Sequence, residues 1–311
     1  MLPSTAVTVH IDLLKIRSNI KQIAQKTGVG VIACVKADSY GFGAGYVISS
    51  ISDLVEGFFV FDAAEAIDAK ILERTGKRTI ALNGQSNDPN DYLAQKIQPA
   101  VWSVERATAL RKARPVIPVD TGQQRFTCPA DLVAAVQKAG QCEEAFTHAN
   151  QIEQVRLFDH ITTAIGGFPF RHAIASNLHD EPTARFNAVR PGLAIYREAL
   201  RVSARLVDVR QSTGPAGYSG FSAPRHGVIR IGYSNGLRAG PCLVNNRLSR
   251  IPEVGMQSAF VECLPSDKIG DEVVLLGNGL SIESVAAAWK CMRQECLLHL
   301  ACCGIKQYTA P

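Results

Sequence analysis

The segment Val31–Gly43, VIACVKADSYGFG, combines an apolar strand with a reactive side chain at its end. Lys36 closes the apolar run, and a tyrosine and two glycines follow it. Desolvation lowers the pKa of a buried lysine, and the neutral amine can then act as a nucleophile. Lys36 is therefore a candidate catalytic residue. The alternative is a lysine that leaves the strand toward solvent, and this segment alone favours that simpler interpretation.

Outward from this segment, short β-branched runs alternate with segments whose apolar residues recur three and four positions apart. Strands are predicted near Val31–Ala37, Phe58–Phe61, Thr79–Asn83, Pro99–Ser103, Val116–Asp120, Glu144–His148, His172–Ser176 and Ala188–Tyr196. Helices are predicted over Ala63–Glu73, Val104–Ala113, Ala130–Gly140 and Gln151–Ile165. Eight strand-helix units predict an α/β fold, a closed (β/α)8 TIM barrel, with working residues at the C-terminal ends of its strands.

The pattern changes near residue 202, where alternating stretches with glycine and proline begin. Strands are predicted over Val228–Tyr233, Pro241–Asn245 and Glu272–Leu276. We therefore expect a barrel domain over residues 1–201 and a C-terminal, mainly β domain over residues 202–311. The opening strand Val7–Asp12 could pair with either domain.

Composition narrows the class of protein. The 311 residues are 46% hydrophobic and 20% charged, and the net charge of +5 is spread over separated lysines and arginines. This pattern argues against nucleic-acid binding. No window reaches the length of a membrane span, and the N-terminal residues have no basic region before an apolar stretch, so we expect a cytoplasmic protein and no membrane partner. Nine cysteines without a C-x-x-C pair favour reduced thiols, and no metal is expected.

The segment VKADSYGFG resembles the lysine motif of the alanine racemase family, V-K-A-[ND]-A-Y-G-H-G, although Ser39 and Phe42 depart from it. The resemblance implies pyridoxal 5′-phosphate as the cofactor. It implies that Lys36 holds the cofactor covalently and that Tyr40 binds its phosphate. Gly41 and Gly43 would allow a tight turn there.

Three more segments resemble family motifs in the family's order. Asp120–Arg125, DTGQQR, resembles D-T-G-M-G-R, and implies that Arg125 binds the substrate carboxylate, for which a guanidinium is well suited. The alternative is a surface turn. His148 ends Phe146-Thr-His and is implied to pack over the cofactor ring. Ser176, in Ala175-Ser-Asn, is implied to bind the phosphate, although the order of serine and asparagine is exchanged.

The second strong match is Phe186–Tyr196, FNAVRPGLAIY, which resembles F-N-x-V-R-x-G-I-x-x-Y. The resemblance implies that Arg190 donates to the pyridine nitrogen and that the backbone of Gly192 and Leu193 binds the phosphate. A permanently charged donor disfavours protonation of that nitrogen, so the ring is a weaker electron sink. The alternative is a core strand that carries one surface arginine.

The segment Ala216–Gly220, AGYSG, resembles the family's V-S-Y-G element, and implies that Tyr218 is the second catalytic base. In the family this tyrosine comes from the partner subunit, so the resemblance implies a homodimer. Ile231–Gly236 and Ile269–Gly277 resemble further family segments that are architectural.

Four positions depart from the family near the expected substrate pocket. Ala259 and Phe260 stand where the family has Met-Asp. The place of the family's late tyrosine, which touches the phosphate, falls near His299, and Pro118 replaces a lysine that orients the carboxylate-binding arginine. The chain is also short for the family. These departures leave the substrate open.

The resemblance implies an amino-acid racemase that inverts Cα of alanine or another small amino acid with two bases, Lys36 and Tyr218. One alternative is a decarboxylase of the same fold, which Arg190 and the absence of a C-E-S-G-D type element argue against. The other is a non-catalytic cofactor-binding protein, which the altered positions favour and the second domain argues against.

Overall fold

The computed structural model describes residues 3–83, 86–174, 178 and 181–309. The chain divides into two compact units. One contains residues 16–39 and 43–196, and the other contains residues 1–15, 40–42 and 197–311. Each unit has its own sheet structure and its own buried apolar residues.

The first unit is an eight-stranded parallel sheet in the order β5-β4-β3-β2-β9-β8-β7-β6. Its strands are β2 (Gly30–Cys34), β3 (Gly57–Asp62), β4 (Arg78–Asn83), β5 (Ile97–Pro99), β6 (Val116–Pro118), β7 (Glu144–Ala149), β8 (Phe170–Ile174) and β9 (Ala188–Val189). The edges β5 and β6 meet where Ala100 bridges Val116 and the Val101 amide donates to the Val116 carbonyl at 2.9 Å. The predicted parallel barrel is confirmed, with a strand at each of the eight predicted places.

Helices lie between these strands, as the βα alternation predicts. Their bounds are Leu13–Thr27, Ala44–Ile51, Ala63–Asp68, Ile71–Thr75, Asn90–Leu93, Val104–Ala109, Val133–Gly140 and Ile152–Ala164. The predicted helix Ala63–Glu73 is divided, because Lys70 has φ +51° and interrupts the helical hydrogen bonding. The last predicted strand is also shorter than expected. It ends at Val189, and a 3₁₀ turn occupies Leu193–Tyr196.

The second unit contains a six-stranded sheet in the order β14-β13-β16-β10-β1-β17 and a three-stranded sheet in the order β11-β12-β15. Its strands are β1 (Ser4–Asp12), β10 (Leu200–Arg205), β11 (Asp208–Gln211), β12 (Arg225–Ile229), β13 (Gly240–Val244), β14 (Arg247–Ile251), β15 (Ala259–Glu262), β16 (Glu272–Leu276) and β17 (Gly304–Thr309). Two helices, Ile282–Trp289 and Arg293–Cys302, complete it. The opening strand β1 pairs with β10 and β17, and so lies in this sheet.

The strand predicted over Val228–Tyr233 is wrong in its second half. Strand β12 ends at Ile229, and Tyr233–Asn235 form a 3₁₀ turn. Gly232 lies so close to the backbone of the Gly255–Met256 segment that a Cβ atom there would be 2.3 Å from the Gly255 oxygen. The close approach of Gly232 to this segment leaves no room for a side chain, and the extended conformation of β12 does not continue past it. Within the described part of the chain, the helices are too short or too polar to cross a membrane.

Candidate active site

Lys36 follows strand β2 and begins a turn of unusual handedness. Residues Ala37–Ser39 have φ values between +53° and +56°, a left-handed conformation that side-chain-bearing residues rarely adopt. Glu65 stabilises the turn, because its carboxylate accepts the amide hydrogens of Ala37 at 2.8 Å and Phe61 at 2.7 Å. The turn fixes the backbone that carries Lys36 at the C-terminal end of β2, where a barrel places its functional residues.

The turn continues into the helix Ala44–Ile51 through Asp38. Its carboxylate accepts the amide hydrogen of Ala44 at 2.6 Å, and its carbonyl accepts that of Gly43 at 3.0 Å. Tyr40 is half-buried and also has a positive φ. At Gly41, φ is +81° and an added Cβ would lie 2.9 Å from the Cys302 sulfur. Glycine is therefore required at this turn position.

Arg190 lies directly after strand β9 and is buried, with 6% of its surface exposed. Its guanidinium donates to the Thr147 carbonyl at 2.9 Å and to Nδ1 of His172 at 2.7 Å. The rings of Phe59 and Phe146 lie 4.7 and 4.5 Å from the guanidinium carbon, within the range of cation-π contacts. The alternative of a surface arginine is therefore wrong.

A buried polar chain continues from Arg190 through the barrel. Arginine can only donate, so Nδ1 of His172 accepts and its Nε2–H donates to Glu144 at 3.0 Å. Burial, the largest cause, together with the nearby arginines, lowers the pKa of His172 to about 4, so the imidazole is neutral. Burial alone would raise the pKa of Glu144, but His172 and Arg78 lower it to about 2. Arg78 begins β4 and also donates to Gln98 at 2.6 Å.

The environment of His148 brings together four of the predicted site residues. Its pKa is lowered to about 4, first by burial and then by the positive charges of Arg190, Lys36 and Arg125. His148 nevertheless remains exposed in the single chain. Lys36 after β2, Arg190 after β9 and Arg125 in the loop after β6 thus act together on one neutral imidazole. We define these four residues as the barrel cluster.

Arg125 is exposed and lies in a loop that Asp120 organises. The Asp120 carboxylate accepts the amide hydrogen of Gly122 at 2.7 Å and the hydroxyl hydrogen of Thr127 at 2.8 Å. Burial acts to raise the pKa of Asp120, but these hydrogen bonds lower it. The Arg125 guanidinium lies 6.0 Å from the centre of the Phe126 ring, which packs against Phe61 and Trp102. Aromatic packing therefore anchors the loop beside Arg125.

The segment after Arg190 is attached to strand β2. The Cys34 amide donates to the Pro191 carbonyl at 3.0 Å, and the buried Tyr196 hydroxyl donates to the Cys34 carbonyl at 2.9 Å. These bonds place Gly192 and Leu193, both half-buried, beside the strand that leads to Lys36. Ser176 lies outside the described residues.

Tyr218 lies in the second unit, at the tip of a loop. Its side chain is 97% exposed, so its own chain covers almost none of it. Its amide hydrogen is donated to Glu253 at 2.7 Å. In the part of the chain that is described, no group of three histidine, cysteine or acidic side chains is placed to hold a metal ion.

Residues 11–199 match the family model described as alanine racemase, N-terminal domain. The chain belongs to the alanine racemase family. Among curated relatives, the alanine racemase of Mannheimia succiniciproducens is 27% identical and aligns over 97% of this chain and 99% of its own length. The biosynthetic alanine racemase of Escherichia coli K12 is 26% identical over 95% and 97% of the two chains.

Solved structures show the same fold. The biosynthetic alanine racemase of Pseudomonas aeruginosa is 23% identical, with a TM-score of 0.86 and coverage of 99% of this chain and all of that one. The alanine racemase of Bartonella henselae, described with covalently bound pyridoxal phosphate, is 21% identical, with a TM-score of 0.87 and the same coverage. The barrel with a second, mainly β part is therefore the family's fold.

The position predicted for the family's late tyrosine stays a prediction, and the C-terminal region contains a second aromatic residue of interest. His299 lies in the helix Arg293–Cys302 with its ring 6.5 Å from that of Trp289. Tyr308, in β17, donates its hydroxyl hydrogen to the Phe42 carbonyl at 3.0 Å, and so contacts the segment that follows Tyr40.

The other three residues that differ from the family motifs lie in different parts of the fold. Pro118 is buried at the end of β6, the strand that leads to the Arg125 loop. Phe260 is half-buried in β15, and its ring lies 5.1 Å from that of Phe221 and 5.5 Å from that of His226. Ala259 is fully buried. Phe260 therefore takes part in an aromatic group at the base of the loop that carries Tyr218.

Proposed function

We propose that this chain is a pyridoxal-phosphate-dependent amino-acid racemase that inverts Cα of alanine or another small amino acid. The observation that carries the proposal is the position of the barrel cluster: the paired parallel strands β2 and β9 lead to Lys36 and to buried Arg190, so an amine and a guanidinium lie at the same edge of the barrel. Arg125, in the loop after β6, adds a third positive charge, and such charge suits a substrate and a cofactor that both bring negative charge. Membership of the alanine racemase family supports the same reaction.

The donors in the barrel suit pyridoxal phosphate. The cofactor needs an amine, a partner for its ring nitrogen and donors for its phosphate. Lys36 supplies the amine, and buried Arg190 supplies a guanidinium flanked by two aromatic rings. We assign phosphate binding to Tyr40, Ser176 and the backbone of Gly192 and Leu193, and packing over the ring to His148. Tyr308 is an additional candidate for contact with the phosphate.

Bound pyridoxal phosphate supplies an electron sink that makes the proton on Cα acidic. Lys36 and Tyr218 then act as the two bases, one on each face of Cα. Each takes the proton in one direction of the reaction and returns it in the other, so a group on one face alone cannot invert the centre. Lys36 would be released to act as a base once the amino acid is bound.

Arg190 has a defined electrostatic role. Its guanidinium does not lose its proton near neutral pH, so it can only donate to the ring nitrogen and keeps that atom unprotonated. His172, neutral and hydrogen-bonded to Glu144, accepts from Arg190 and holds its orientation. Arg125 binds the substrate carboxylate, and the anchored Phe126 beside it limits the movement of its loop.

We also propose a homodimer in which Tyr218 completes the site of the partner subunit. An almost fully exposed tyrosine needs other groups around it to fix the position of its hydroxyl, and its own chain does not surround it. In this proposal residues 1–201 form the cofactor-binding domain and residues 202–311 form the second domain. The nine cysteines form no disulfide in the described part of the chain, which suits a reducing, cytoplasmic location.

The test is a chiral assay of the purified protein with added pyridoxal phosphate and a panel of amino acids. The proposal predicts that either enantiomer of at least one small amino acid is converted to the racemate, and the panel identifies the substrate. Decarboxylation products, or cofactor binding without conversion of any amino acid, would contradict it.

A further inference from the structure

The loop that carries Tyr218 is a short hairpin tip with little side-chain packing. Ala216 and Phe221 form an antiparallel bridge, in which the Ala216 amide donates to the Phe221 carbonyl at 2.9 Å. Gly217 and Gly220, on either side of the tip, have φ values of +70° and +67°. With the Tyr218 side chain 97% exposed, the position of its hydroxyl depends on how firmly the backbone of this loop is held.

Glu253 holds the tip from a different segment of the same unit. One carboxylate oxygen accepts the amide hydrogen of Tyr218 at 2.7 Å, and the other accepts the amide hydrogen of Ser219 at 2.7 Å. The Ser219 hydroxyl donates to that second oxygen as well. The serine hydroxyl and the two amides lower the pKa of Glu253, so it is ionised at neutral pH. Three charge-assisted hydrogen bonds therefore converge on one carboxylate.

Gly217 makes this approach possible. A Cβ atom on Gly217 would lie 2.5 Å from one oxygen of Glu253 and 2.6 Å from the other. Its positive φ is also a conformation that other residues adopt only with strain. The Glu253 carboxylate thus occupies the space that a side chain at residue 217 would fill. Only glycine at this position lets the carboxylate reach the backbone of the loop.

The backbone of Glu253 is tied to the base of the same loop. Its carbonyl accepts the amide hydrogen of Phe260 at 3.0 Å. The Phe260 ring packs against Phe221, whose ring also lies 5.8 Å from that of His226. The Glu253 backbone is therefore paired with β15, and Phe260 of β15 packs against Phe221 at the base of the loop. This pairing holds the Glu253 carboxylate in a fixed position.

We propose that Glu253 is a positioning residue for Tyr218, acting through the backbone of the loop. This inference rests on the proposed role of Tyr218 as a base. Glu253 itself contacts no substrate atom in the proposal. It narrows the range of positions of the phenol, so that the hydroxyl reaches Cα in the geometry needed for proton transfer.

Amide hydrogen exchange of the cofactor-free protein tests the clamp directly. In Glu253→Gln, the peptide that contains residues 216–221 should exchange about tenfold faster, since one acceptor and the negative charge are lost. Glu283→Gln is the matched control, because Glu283 is an exposed glutamate of the same unit that pairs with Arg293. The control should exchange at the wild-type rate. Unchanged exchange in Glu253→Gln overturns the inference.

Steady-state kinetics test the effect on Tyr218. Glu253→Gln should lower kcat about tenfold with KM within about twofold of wild type, because a displaced base weakens the transition state and leaves substrate binding intact. The visible absorbance of the bound cofactor should not change. In a Tyr218→Phe background, Glu253→Gln should cause no further loss. An equal loss in both backgrounds would contradict positioning through Tyr218.

The outcomes separate this inference from the proposed function. If Tyr218→Phe keeps full activity, the role of Tyr218 as a base is wrong, and the inference falls with it. If Tyr218→Phe loses activity and Glu253→Gln does not, only the inference is wrong. Should Glu253→Gln fold poorly, Ser219→Ala removes a single donor to the carboxylate and should raise exchange of the same peptide about threefold. No increase in that variant overturns the inference.

Discussion

Arg190 and Tyr218 are held in opposite ways. Arg190 is 6% exposed, lies between two aromatic rings and donates to Thr147 and His172. Tyr218 is 97% exposed, and hydrogen bonds reach only the backbone of its loop. The barrel side of the proposed site is thus formed within one chain before any ligand binds. In the proposed homodimer, the partner subunit supplies the surface that surrounds Tyr218. Substitutions in the two regions should therefore have different effects on activity and on stability.

The largest expected effect is on the barrel side, at Lys36. Lys36→Ala should lower racemisation at least about 10,000-fold, because covalent attachment of the cofactor is lost together with an acid-base catalyst that alone contributes about 10²–10⁴. Borohydride reduction followed by intact mass measurement should add the cofactor to the wild type and not to the variant. Lys138→Ala, at an exposed lysine of the same unit, is the control. Covalent labelling that persists in Lys36→Ala would contradict the assignment.

On the exposed side, Tyr218→Phe should lower racemisation by about 10²–10⁴, the usual contribution of a general acid-base group. Because the side chain makes no buried packing in the single chain, the free energy of unfolding and the cofactor absorbance should stay at wild-type values. Tyr46→Phe, at another exposed tyrosine, serves as the control and should keep its activity. Full racemisation by Tyr218→Phe in both directions would remove this residue from the mechanism.

Stability should depend strongly on the polar chain below Arg190. Glu144→Ala leaves His172 and Arg78 without their acceptor inside the barrel, and should lower the free energy of unfolding by about 3–5 kcal/mol. The adjacent Glu143 pairs with Arg114 at the surface, so Glu143→Ala should cost less than about 1 kcal/mol. Urea unfolding measures both. Equal losses in the two variants would show that the buried chain adds no special stability.

The smallest effect is a pH dependence that arises from the same buried groups. The pKa of His172 is about 4 in the folded chain and about 6.5 when unfolded, so the unfolded state binds more protons between these values. Stability should therefore fall as pH drops from about 6.5 to 4, by at most about 1.4 kcal/mol per pH unit for this histidine. Glu144, with a pKa of about 2, should extend the loss below pH 4. A flat profile between pH 7 and 4 would contradict a neutral buried His172.

The barrel could be predicted from sequence because its strands are short apolar runs separated by helical periodicity. The same reasoning could not predict the left-handed turn Ala37–Ser39. Side chains rarely adopt that conformation, and it depends on Glu65, which is distant in sequence. The helix expected over Ala63–Glu73 was interrupted at Lys70 for a similar reason, since a single positive φ leaves no compositional signal.

Motifs identified the proposed catalytic and binding residues but not the residues that hold them in place. Glu144 and His172 lie in apolar strands, where one polar residue gives no sign of its partner. Glu253 lies 35 residues after Tyr218, and only the folded chain brings them together. The contact of Tyr308 with the Phe42 carbonyl likewise appears only in the folded chain. Ser176 stays a prediction, since it lies outside the described residues.

The proposal that each site combines Lys36 of one subunit with Tyr218 of the other can be tested by mixing two inactive variants. Lys36→Ala and Tyr218→Phe subunits, unfolded and refolded together, should form mixed dimers with one intact site. The mixture should then recover about a quarter of wild-type activity, since half the dimers are mixed and each has one of two sites intact. Activity that stays absent while mass measurement shows mixed dimers would contradict a site shared between subunits.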